Sequence, residues 1–229
     1  MKTFAIVMRG NEYSEFGYER LVNSSFAVGN TFPINRFDAV VPPVEQTMKD
    51  LDIQWNYPWI GFVSDFATGL VKRAYETANP QARIACALSH YSLWNFCITL
   101  DEPILILEHD TVWTTKLTLN IDKHNFDIIG INNPLGATRK AQQFYQTIIE
   151  NPKPVQLTPK IDGDTIPQGL AGNSAYVIKP SGAEHMVKLV KEYGLWPNDA
   201  IMCRQLVPRL GVTRKFYTHV GTMRSTTTQ

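Results

Sequence analysis

The sequence predicts an α/β fold, a sheet packed between helices, on three observations. Short continuous apolar runs such as Phe4–Met8 and Ile104–Leu107 have the length and composition of buried strands. Longer stretches with helical spacing, Ala82–Leu100 and the segment after Pro180, alternate with them. Hydrophobic residues make up 44% and charged residues 19% of the 229, the balance of an ordinary globular chain able to bury a sizeable core.

Phe4–Met8 is the first predicted strand, closed by the loop Arg9-Gly10-Asn11. Glu19–Phe26 is read as a helix, and "FPINRFDAVVPP" as a second strand ended by Pro42-Pro43. Leu51–Gly69 is rich in aromatics, glycine and proline without a clean period, and is read as irregular. In Ala82–Leu100 the residues Ile84, Leu88, Tyr91 and Ile98 follow helical spacing up to Pro103. Ile104–Leu107, Phe126–Ile131 and Ser174–Ile178 are read as strands. After Pro180, Ser181 and Glu184 match a capping box, Ala183, Met186, Val187 and Val190 form an apolar stripe, and Gly194 is a natural stop. The whole chain, 1–229, is read as one domain with a polar tail at about 225–229.

Charge and cysteines bound the function. The 22 Lys+Arg nearly balance 21 Asp+Glu, so no global field points to nucleic acid or anionic lipid. Cys86, Cys97 and Cys203 form no CxxC and leave one cysteine over in any pairing scheme, which favours a reducing, cytoplasmic setting. No apolar run reaches the length of a signal peptide core or a membrane span.

The chemistry concentrates at "ILILEHDTVW", where an apolar strand runs into Glu108-His109-Asp110. In α/β sheets, ligands collect beyond the carboxyl ends of strands, which is where these residues stand. Glu108 and Asp110 are two apart and leave the same face of an extended chain, with His109 opposite. One or both carboxylates suit a hard cation, Mg²⁺ or Mn²⁺, of the kind that bridges nucleotide phosphates. A plain acidic turn is the alternative. There is no G-x-x-x-x-G-K-[ST], no G-x-G-x-x-G after the first strand, no H-E-x-x-H and no G-x-S-x-G. A metal-diphosphate site on an acidic strand end is the option that survives.

Reading outward, "ARIACALSHYSLWNFCITLDEPILILEHDTVW" resembles glycosyltransferase family 25, with Cys86, Ser89, His90, Trp94, Glu108 and Asp110 in the matching places. "INRFDAVVPP", "GNSAYVIKPSGAEHMVKLV" and "WPNDAIM" are similar to further segments of that family, in the same order. Three positions depart from it: His109 replaces the middle acid, Ala85 a glycine, and Arg83 stands where the family often has Glu. The resemblance implies a GT-A-type fold, a mostly parallel Rossmann-like sheet between helices, and inverting hexosyl transfer from a nucleotide-diphosphate sugar. A UDP-sugar is the expected donor, Mn²⁺ or Mg²⁺ the cofactor, and a glycan or glycoconjugate, as in lipopolysaccharide biosynthesis, the acceptor, reached in the cytoplasm or at the inner membrane face. Nucleotidyl or phosphoryl transfer, or an inactive nucleotide- or glycan-binding relative, are the alternatives.

On this reading Asp110 ligates the metal, with Glu108 beside it and His219 completing the shell. Asp199, in Trp196-Pro197-Asn198-Asp199, is the candidate general base, against the alternative that it caps the helix near Ala200. Asp38, Ser89, His90, Glu108, His109 and Arg224 are the candidate donor-binding residues. Arg214 and Lys215, near Arg224, are read as a solvated basic face, with a hold on the diphosphate as the alternative, and Trp55, Tyr57 and Trp59 as core aromatics or a sugar platform. "PQGLAGNSAYV", Pro167–Val177, has the glycines to let backbone approach a ligand and is expected to line the cleft.

Overall fold

In the computed structural model, which describes residues 1–75, 77–136 and 140–221, strands and helices alternate as the apolar pattern predicts. Strand β1 (Lys2–Val7) leads into helix α1 (Glu12–Ala27) through Asn11, whose side chain accepts from the Ser14 amide at 3.0 Å. The predicted helix Glu19–Phe26 is thus the second half of a longer one, started by a polar cap rather than an apolar stripe. Strand β2 (Asn35–Asp38), helix α2 (Glu45–Asp50) and the antiparallel hairpin of β3 (Phe62–Asp65) and β4 (Leu70–Arg73) follow. Helix α3 (Pro80–Leu100) begins under the Asn79 side chain and stops at Asp101, which adopts φ 49°. Next come β5 (Ile104–Glu108), β6 (Thr111–Trp113), β7 (Ile128–Gly130), α4 (Ala141–Glu150) and β8 (Val155–Leu157). Strand β9 (Ala175–Ile178), α5 (Pro180–Tyr193), α6 (Asn198–Ile201), β10 (Leu210–Thr213) and β11 (Thr218–Val220) complete the order.

The central sheet runs β2-β1-β5-β9-β7-β10-β8. Strand β1 pairs in parallel with β2 and β5, and β10 with β7. Strand β9 lies antiparallel between β5 and β7, and β8 antiparallel on the edge. The sheet is therefore mostly parallel in strand direction, but its pairing is mixed, which the apolar run Ser174–Ile178 did not reveal.

Pleating sorts the side chains onto two faces. Phe4, Ile6, Ile104, Ile106, Tyr176 and Ile178 pack on the α3–α5 side. Ala5, Val7, Leu105, Leu107, Ala175 and Val177 pack on the other, with Leu21 of α1 and Trp113. Helix α3 is apolar nearly all round, with Trp94 and Leu88 fully enclosed, as a helix between a sheet and another helix must be.

The capping box of α5 does not form. Lys179 is the N-cap without a side-chain bond, and Ser181 donates instead to Asp127 Oδ1 at 2.6 Å, a carboxylate closer at hand than the helix amides. Gly194 ends this helix at φ 79°, as expected. No helix of the described residues is long and apolar enough to cross a membrane.

Candidate active site

Strand alternation places the acidic tip. Glu108 continues the Ile104 and Ile106 side of β5 and faces α3, whereas His109 continues the Leu105 and Leu107 side and turns toward α1. There Gly17 leaves the room: a Cβ at Gly17 would stand 2.8 Å from the His109 carbonyl oxygen and 3.0 Å from its ring. Burial, only partly offset by the Glu108 charge, lowers the His109 pKa and favours the neutral ring.

Glu108 is held by a buried hydrogen-bond chain. Trp94 Nε1 donates to the Tyr176 hydroxyl at 2.9 Å, and that hydroxyl lies 2.8 Å from His90 Nδ1. His90 Nε2 lies 3.1 Å from Glu108 Oε1. A carboxylate accepts, so the network assigns the proton to Nε2 and has Tyr176 donate to Nδ1. His90 is fully enclosed and both its nitrogens are taken, so it positions Glu108 rather than meeting a ligand. Ser89 is committed in the same way: its hydroxyl accepts from Val40 N and donates to Ala85 O, both at 2.9 Å. It ties the segment after β2 to α3.

Asp110 differs. Its Oδ1 is buried without a hydrogen-bond partner, and so are both ends of the Asn173 amide and the Ser174 hydroxyl. Burial, reinforced by the Glu108 charge, pushes the Asp110 carboxyl up to about 7. Orphaned oxygen donors beside a second carboxylate are the environment that a hard divalent cation completes, so the residues fit the implied metal. Cys86, His90 and Glu108 also offer ligand atoms within 4.8 Å of one another. That trio is a poorer fit, since His90 is already bonded and burial, with Glu108, holds the Cys86 thiol well above its ordinary range.

Two cavities meet here. The first, about 320 Å³, lies beyond the ends of β1, β2 and β5 and is lined by Met8, Val40, Glu108, His109, Asp110 and Asn173 among others. The second, about 310 Å³, opens between the β3–β4 hairpin and the Ile166–Ala171 loop, with Arg73, Tyr75, Lys140 and Phe144 on its wall. Arg83, Gly172 and Asp199 line both. Asp199 sits in the first turn of α6, whose N-cap is Pro197 without a side-chain bond, so it does not act as the cap. Burial raises its pKa, against the pull of Arg83 and with the Glu108 charge adding to the rise. Gly169 lets this geometry close, because a Cβ there would meet the Asp199 carbonyl at 2.3 Å.

Of the predicted site residues, Ser89, His90, Glu108, His109, Asp110 and Asp199 gather at the first cavity. Asp38 does not: it pairs with Arg9 at 2.8 Å on the surface, while Ala39 and Val40, just past the end of β2, line the cavity. His219 does not reach it either. It pairs with Val112 in the β6–β11 ladder, and it is Val220, on the opposite face, that lines the cavity. Arg224 lies outside the described residues. Arg214 donates to the Ile149 carbonyl and Lys215 lies over Tyr217, away from both cavities. Trp55 stacks on Trp59 at 4.8 Å, and of that aromatic group only Tyr57 lines the second cavity. Sequence reasoning missed Tyr176, Arg73, Tyr75 and Lys140. It noted Arg83 only as a departure, although that reversed charge was the available signal.

Among solved structures, the chain is similar over 93% of its length to the galactosyltransferase LgtC in complex with donor and acceptor sugar analogues, at 10% identity, 73% coverage of that chain and a TM-score of 0.47. It is also similar, over 94% of its length and 38% of the other chain, to an apo structure of the bifunctional glycosyltransferase WbbM, at 11% identity and a TM-score of 0.43. No curated protein sequence matches it. The sequence profile of "Glycosyltransferase family 25 (LPS biosynthesis protein)" matches residues 29–202, from the end of α1 through α6. That span is well over half of the chain and includes Glu108, Asp110 and Asp199, and the protein belongs to glycosyltransferase family 25.

Proposed function

We propose that the protein is an inverting, metal-dependent hexosyltransferase, a single catalytic domain that moves a sugar from a nucleotide diphosphate, UDP foremost, to a hydroxyl of a glycan acceptor. The observation that carries this reading is the position of Asp199 on the wall shared by the two cavities. The donor occupies the first cavity, beside Asp110, and the acceptor the second. A hydroxyl entering from the second cavity then meets Asp199 before it meets the donor.

Asp199 takes the proton of the attacking hydroxyl, and its raised pKa makes it a stronger base than an exposed carboxylate. Asp110 and Glu108, with Asn173 and Ser174 beside them, would hold Mn²⁺ or Mg²⁺, which supplies positive charge opposite the departing diphosphate. The Trp94–Tyr176–His90 chain keeps Glu108 aimed into the cavity. Gly172 lines both cavities where they join.

The test is donor turnover by the full chain with a panel of UDP-hexoses and Mn²⁺. Hydrolysis or transfer that disappears in Asp110→Ala is the expected result. Full activity in that variant overturns the metal assignment, and release of inorganic pyrophosphate from a nucleoside triphosphate would replace glycosyl transfer by nucleotidyl transfer.

A further inference from the structure

We infer that the second cavity takes an anionic acceptor, a sugar carrying a phosphate or a carboxylate, and that Arg73 reads that charge. This inference rests on the donor and acceptor assignment above.

Among the described residues, the lining of the cavity carries more positive than negative charge. Lys140 is bonded to Asp162, so those two largely cancel. Two guanidiniums, Arg73 and Arg83, then face one carboxylate, Asp199. The arginines that form ion pairs among the described residues are Arg9, Arg36 and Arg209, and neither Arg73 nor Arg83 is among them. Arg83 Nε is buried with no hydrogen-bond partner, an expensive state unless something else completes it. Arg83 also lies over the Tyr75 ring, 5.5 Å from its centroid. Arg73 is arranged likewise, 5.5 Å over the ring of Phe62, its cross-strand neighbour in the β3–β4 hairpin. A cation–π contact of this kind engages the charge without using an N–H hydrogen bond, and the N–H edge of a guanidinium matches a carboxylate or phosphate in bidentate fashion.

The remaining wall agrees with a charged sugar. Tyr57, Tyr75 and Phe144 present flat apolar surface for a pyranose. Burial, with the Asp199 charge, pushes the Tyr57 and Tyr75 hydroxyls up, so they stay neutral donors and add no repulsion. Arg83 borders both cavities, whereas Arg73 lines only the second, which assigns the charge preference to the acceptor and not to the diphosphate.

The experiment titrates the full chain, with UDP and diamagnetic Mg²⁺ present to fill the first cavity, with methyl β-glucoside, its 6-phosphate and methyl β-glucuronide, by ligand-observed NMR. At least one charged sugar should bind about tenfold tighter than the neutral one, the worth of one charge-assisted pair. The 6-phosphate and glucuronide arms decide which anion is read. Arg73→Gln should bring that ratio close to one, and Arg73→Lys should keep part of it. Equal affinities for charged and neutral sugars, or a preference that survives Arg73→Gln, overturn the inference. Donor hydrolysis without acceptor, run in parallel, tests the glycosyltransferase reading separately, so a failure of one is not mistaken for a failure of the other.

Discussion

The two cavities that meet at Asp199 are built on opposite principles. The first is walled by the ends of sheet strands, and its polar groups are carboxylates and amides held by the pleat and by the buried Trp94–Tyr176–His90 chain. The second is walled by a hairpin and loops, and carries arginines and aromatics. Its hairpin is anchored by Leu70, which is buried in the core, by the Val71 N–H donating to the Thr165 carbonyl at 2.7 Å, and by Lys72. Lys72, 2% exposed, pairs with Asp65 at 2.8 Å, donates to the Asn56 carbonyl at 2.8 Å and lies 4.1 Å over Trp196. On the proposed function, the metal and diphosphate chemistry lies with the strand ends, where a misplacement of an ångström is costly, and acceptor recognition with the hairpin and loops.

The comparison breaks most visibly at the shared wall. Asp199→Asn should lower transfer by about 10²–10⁴-fold, the usual worth of a general base, with an unchanged far-ultraviolet spectrum. Steady-state kinetics on the purified variant checks this.

The anchor of the second region comes next. Asp65→Asn strands a buried ammonium and should destabilise the fold by about 3–5 kcal/mol, read from denaturant unfolding. Burial opposes ionisation of Asp65, but the Lys72 hydrogen bond and charge outweigh it and hold the carboxyl below its ordinary value. A depressed folded pKa contributes stability that is complete above the unfolded value, about 4, and lost as pH falls through the folded one. The gap between wild type and Asp65→Asn should therefore be full at neutral pH and narrow below about pH 4.

Smaller effects sharpen the picture of the first region. Tyr176→Phe leaves the Trp94 N–H and His90 Nδ1 without their partner and should cost about 1–3 kcal/mol, seen as a lowered Tm together with reduced donor turnover. Gly17→Ala pushes on the His109 backbone and should cost about 1–2 kcal/mol, the lower part of the overpacking range, by the same unfolding assay. If Gly17→Ala also alters donor selectivity, His109 contacts the donor; if only stability moves, His109 is a packing residue.

The regions were unequally legible. Strands β1 and β5 were readable because continuous apolar runs are hard to place anywhere but inside a sheet. Glu108 and Asp110 were readable because they interrupt such a run. The β3–β4 hairpin was not: its strands are four residues long, Phe62, Val63 and Phe66 are exposed, and its buried residue at the key position is a lysine. Helix α4 was missed because Phe144 and Ile148 make too short a stripe. Asp38 and His219 were misplaced because one register step decides which face a strand residue occupies, and the sequence near them does not set that step.

By itself the sequence determined the α/β class, the acidic strand end and the resemblance to family 25, since these depend on local periodicity and ordered motifs. Only the tertiary structure decided that His90 supports Glu108, that β9 runs antiparallel, and that Arg73, Arg83 and Asp199 share a wall. The physical reason is distance along the chain. His90 meets Tyr176 across 86 positions, and Arg73 shares a cavity with Asp199 although they are far apart in sequence. Such meetings are set by how the sheet, the hairpin and α6 pack, and no window of residues contains them.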